Sequence, residues 1–98
     1  MTAQIDYGEI LLAAARQARD IGSYIATFPQ DPAAVEPLRT VATRIADAAR
    51  AIGDRELIER SKKLYHTAHG IIRTERGIDR LNSEITEFLG YVEEFVQR

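Results

Sequence analysis

Apolar and small residues recur at Tyr7, Leu11, Ala14, Ala18, Ile21, Ile25 and Phe28, in alternating steps of four and three. An α-helix advances about 100° per residue, so this spacing draws a single stripe along one helix face. Asp6 stands where a first N-cap is needed, and Glu9 three residues later completes a pattern like a capping box. The segment FPQDP, residues 28–32, then ends the helix, because proline lacks an N–H and restricts the residue before it. Asp31 and Pro32 form a cap and first-turn pair that predicts a second helix from Pro32 to Ile52, with the stripe Leu38, Val41, Ile45, Ala48 and Ile52. Gly53 suits the position after that helix, and Asp54 suits the cap of the next. The third stripe runs through Leu57, Ser61, Leu64, Ala68 and Ile71, widened by Ile58, Tyr65 and Ile72. It predicts a helix ending near Arg76 and Gly77, with Gly70 weakening its interior. Ile78, Leu81, Ile85, Phe88, Val92 and Phe95 mark the fourth and give the cleanest heptad pattern of the chain. No segment alternates as a strand would.

Four amphipathic helices of about 20 residues, joined by short links, pack as antiparallel neighbours because a short link cannot return the chain to the far end. The expected fold is therefore all-α, an up-down-up-down antiparallel four-helix bundle, with residues 1–98 forming one domain. A long helical hairpin that completes its core by dimerising has the same pattern and stands as the alternative. A composition of 45% hydrophobic and 29% charged residues is that of a folded globular chain. A formal net charge of −2 supplies no broad basic field for nucleic acid, which is not expected as a partner. No cysteine is present, so disulfides, thiolate metal sites and cysteine nucleophiles are excluded. No apolar run approaches the roughly 18 residues that span a bilayer, and MTAQIDYGEI carries no signal-like pattern. The expectation is a cytoplasmic protein that does not engage a membrane.

The run LRTVATRIADAARAIG, residues 38–53, is followed by DRELIERSKKL, residues 54–64. In pattern and spacing it resembles the second and third helices of the histidine phosphotransfer family, where the first run commonly reads LRRxAHTLKGSAxxLG. The resemblance extends from the first helix through the fourth and implies a four-helix bundle that docks a response-regulator receiver or a histidine kinase domain. In that register Thr43 takes the place of the phosphorylated histidine, Ile45 matches the buried leucine, Ala46 replaces the lysine and Asp47 replaces the glycine. Phosphohistidine transfer needs an imidazole nucleophile, a cation to offset phosphate charge, and room for the partner's active site. Thr43 lacks the imidazole and Ala46 the charge. Asp47 adds a carboxylate about one turn away, repelling phosphate by about 1 kcal/mol at a wet surface. The resemblance thus implies a pseudo-phosphotransfer module that binds its partner without passing phosphate. Its expected contact residues are Arg39, Thr43, Arg44, Asp47 and Arg50, a basic helix surface suited to the acidic pocket of a receiver.

A second register places the phosphoacceptor in YHTAHG, residues 65–70, where His66, Thr67 and Gly70 match the family's phosphorylated segment. Ala68 and His69 then replace the usual leucine and lysine. His66 lies off the stripe through Leu64 and Ala68, and shares a mixed-charge face with Glu59, Lys62, His69 and Arg73. An active phosphorelay carrier through His66 is the alternative reading. A structural or adaptor bundle that homodimerises is the third. His66 and His69 at i and i+3 are too few to make a zinc shell, so neither metal nor cofactor is expected. No glycine-rich phosphate loop or nucleophilic triad is present, and no enzymatic turnover is expected.

Overall fold

The computed structural model describes residues 5–98 and is all-helical there. Helix α1 spans Tyr7–Thr27, α2 spans Val35–Ile52, α3 spans Arg55–His69 and α4 spans Glu75–Val96. Asp6 caps α1 by accepting from the Glu9 N–H at 3.0 Å. The second helix begins later than its sequence suggests, because Pro32–Ala34 form a 3-10 turn in which Asp31 accepts from the Ala33 N–H at 2.9 Å. Pro37 follows in the first turn of α2, where a missing N–H costs nothing. Gly53 ends α2 at φ 83°, a left-handed conformation natural to glycine. Asp54 at once caps α3 through the Leu57 N–H at 2.9 Å.

The junction of α3 and α4 differs from the sequence expectation. Helix α3 stops at His69, not near Gly77, and Gly70 is its cap, with its N–H bonded to the His66 carbonyl at 3.0 Å. Helix α4 starts at Glu75, because Thr74 adopts an extended conformation and its hydroxyl oxygen accepts from the Gly77 N–H at 3.1 Å. Glycine is a poor helix former and threonine a good N-cap, so the two local signals outweigh the apolar stripe. Ile71 and Ile72 therefore lie in the link rather than on a helix, Ile71 half-buried and Ile72 67% exposed.

Helix α1 packs against α2 and α4, and α3 packs against the same two; the pairs α1–α3 and α2–α4 make no close backbone approach among the described residues. Leu11, Ile25, Leu38, Ile45, Leu57, Leu81, Ile85 and Val92 are sealed at the centre. Burying each such side chain contributes about 1.5–3 kcal/mol. Along the stripes Tyr7 and Phe28 are exposed, and Ile21, Ile52, Ile71 and Phe95 are half-buried, while the other positions are buried. On α2 the apolar face is wider than its stripe, since Ala42, Ala46 and Ala49 are also buried. One buried polar side chain, Ser61, donates to the Ile58 carbonyl at 2.8 Å. The core closes within one chain, so the hairpin that needs a second copy to complete its interior is not the arrangement found.

Candidate functional site

Helix α2 turns Leu38, Val41, Ile45 and Ala49 inward, which leaves Arg39, Thr43, Arg44, Asp47 and Arg50 exposed on its outer side. Thr43 donates its hydroxyl proton to the Arg39 carbonyl at 3.0 Å, a local bond that gives the oxygen no activating base. Asp47 and Arg50 approach to 3.8 Å with both side chains 67% exposed, a pairing worth little in water. Arg44 reaches across to α1 and donates to Gln17 Oε1 at 3.2 Å. Arg39 has no ion-pair partner among the described residues.

Three of these five residues converge. Thr43, Arg44 and Asp47 line a shallow groove of about 480 Å³ between α1 and α2, together with Thr40, Tyr7 and Ile10. Arg39 and Arg50 flank it without lining it. Tyr7 and Ile10, 39% and 37% exposed respectively, add large apolar surface to a lining completed by Ala48 and Ala51 and by the charged or hydroxylic residues. Sequence reasoning put Tyr7 in the core and passed over Ile10. The available signal was Ile10 itself, a large apolar residue lying beside the stripe rather than on it. Ala46, the position to which the resemblance assigns a lysine, is only 5% exposed. A cation there would have to leave the core to reach the groove.

The two histidines have separate surroundings. His69 stacks on Tyr65 with ring centroids 4.0 Å apart, and its Nδ1 is the donor to the Tyr65 carbonyl oxygen at 3.0 Å, because a carbonyl oxygen only accepts. His66 is exposed and lines a second cleft of about 440 Å³ where α3 ends and α4 begins. No three His, Cys, Asp or Glu side chains converge into a metal-binding group among the described residues. Titration is perturbed away from both clefts, at the corner between α1 and the 3-10 turn. There the Tyr24 hydroxyl donates to the Asp31 carboxylate, raising the tyrosine pKa and lowering that of the carboxyl group, which the Ala33 N–H also holds down.

The chain matches no protein-family model, no curated protein and no solved structure. Among the described residues no helix is long and apolar enough to cross a membrane.

Proposed function

We propose that this chain is a cytoplasmic docking module of the histidine phosphotransfer type, an up-down-up-down bundle that binds a receiver or histidine kinase domain through its α1–α2 face and passes no phosphate. Its topology is supported by pairings that run in opposite directions along neighbouring helices. Gly8 lies by Val96 while Gly22 meets Asn82, and Gln17 meets Arg44 while Tyr24 meets Asp31.

The observation that carries the docking reading is the groove, in which Tyr7 and Ile10 lie exposed beside Thr43 and Arg44. Apolar anchors beside an arginine are the composition from which binding energy is usually drawn, and Arg39, Arg44 and Arg50 complement an acidic partner. The chemistry of transfer has less support, because Thr43 bonds its own backbone and Ala46 is buried.

Calorimetric titration with receiver and kinase domains encoded in the same genome tests the proposal. One of them should bind, Arg44→Glu and Tyr7→Ser should each weaken that binding tenfold or more, and incubation with the phosphorylated receiver should leave the chain unlabelled. Absence of binding across the set, or binding indifferent to Arg44→Glu, overturns it.

A further inference from the structure

The cleft at the α3–α4 junction lies apart from the α1–α2 groove and shares no residue with it. It gathers His66 and Thr67 from α3, Ile71 and Ile72 from the link, and Arg76 and Arg80 from α4. Its remaining lining residues are Gly70, Thr74 and Gly77, so no carboxylate lines it. The acids of the first turns of α4 are directed elsewhere: Glu75 and Asp79 line a different cleft, beside Arg73 and Gln30. In the first turns of α4 the arginines thus lie on the His66 side and Glu75 and Asp79 on the other, and the arginine face continues to Glu84 one turn beyond Arg80.

Arg76 has no ion-pair partner among the described residues. Arg80 touches Glu84 Oε1 through Nε at 3.4 Å, and a guanidinium carries four further N–H donors on its two Nη atoms. Two arginines four residues apart on one helix face can hold a planar fork toward the same anion. The wall opposite them is held by close packing, because a Cβ on Gly77 would overlap the Ile72 carbonyl oxygen. Ile72, 67% exposed, gives that wall an apolar surface.

We propose that this cleft binds a phosphomonoester, with the phosphate held by Arg76, Arg80 and His66 and an apolar or aromatic organic part lying against Ile71 and Ile72. The binding is non-covalent and independent of docking at α2. A phosphate suits the site because its oxygens accept from both guanidinium groups and from imidazole or hydroxyl donors at once, and arginine is the side chain best matched to that geometry.

Amide chemical-shift titration of the whole chain with phenyl phosphate tests the proposal, with phenol and inorganic sulfate as comparison ligands. Phenyl phosphate should shift Thr67, Gly70, Thr74 and Gly77 saturably and leave Thr43 and Asp47 unmoved. Phenol should not saturate, and sulfate should bind at least tenfold more weakly. Arg76→Ala with Arg80→Ala should abolish saturation, and the single variant His66→Gln should weaken it severalfold. All three positions are exposed, and the helical circular dichroism of each variant shows whether it is folded. If the double variant is unfolded, Arg76→Gln alone takes its place and should weaken binding at least fivefold. Absence of saturable shifts, equal response to sulfate, or unchanged affinity in the folded arginine variant overturns the proposal.

Discussion

Three glycines separate what a missing side chain does in this chain. At Gly53 the space around a Cβ is open and only the backbone resists, since φ is 83°. An L-residue in that conformation costs roughly 1–2 kcal/mol. At Gly77 the dihedral is ordinary and space resists, because the Ile72 carbonyl occupies the place of the Cβ. At Gly90, exposed on α4, neither resists, and glycine merely gives up helix propensity. Equilibrium denaturation in urea should therefore order the alanine variants by sign. Gly90→Ala should stabilise by about 0.5–1 kcal/mol, whereas Gly77→Ala should destabilise by about 1–3 kcal/mol as an overpacked site. A neutral Gly77→Ala would mean that the link does not lie against the first turn of α4. Of these positions the sequence exposes Gly53 through its place after an apolar stripe and before an aspartate. Gly77 cannot be read that way, since its crowding comes from a link whose path only the tertiary fold determines.

Helix ends show a similar division. The starts at Asp6 and Asp54 follow from local hydrogen bonding, each carboxylate accepting the N–H three residues on, so spacing alone locates them. The α3–α4 junction misleads because Ile71 and Ile72 continue the apolar period of α3 while Gly70 and Thr74 carry the opposing signals. The Tyr24–Asp31 contact could not be seen in the sequence either, because it needs the chain to turn back after Phe28 and bring the end of α1 to the entry of α2. This contact makes the α1–α2 corner sensitive to pH. Asp31 titrates below its ordinary 3.8 when folded, so its share of stability is complete above 3.8 and is lost as pH falls through the lowered value. Tyr24 titrates above its ordinary 10.0, so its share is complete below 10.0 and is lost as pH rises through the raised value. Tyr24→Phe removes the hydroxyl and should lower Tm by a constant amount between about pH 5 and 9. Outside that window the two proteins should converge in both acid and alkali. Thermal melts followed by circular dichroism would read this directly, and a Tm difference that does not change with pH would mean that the contact is not made.

At the scale of the whole molecule, the apolar periods were enough to find four helices and most of the interior, because burial repeats with the turn of the helix. They were not enough to find the groove. Thr43, Arg44 and Asp47 share an outer face of α2 that can be traced by spacing, but Tyr7 and Ile10 join them only when α1 is laid alongside. The same packing governs the oligomeric state. Each helix already has two neighbours in the chain, and the large core residues are covered without a second copy. The large apolar residues left outside are split between the two ends of the bundle: Ile5, Tyr7 and Ile10 at or near the start of α1 with Val96 at the end of α4, and Tyr24 and Phe28 at the end of α1 with Ile72 in the α3–α4 link. A stable dimer usually covers about 800 Å² on each partner, with a hydrophobic centre. Dispersed residues along a body 47 Å long do not supply such a centre. The chain should therefore run as a monomer of 11.0 kDa in light scattering coupled to gel filtration, from micromolar to several hundred micromolar. A doubled mass would revive the homodimeric adaptor, and Ile10→Asp would then locate its interface. Loss of the dimer in that variant would assign the α1–α2 groove to a second copy of this chain and withdraw it as the seat of a receiver. Persistence of the dimer would place the interface elsewhere and leave the groove open to its proposed partner.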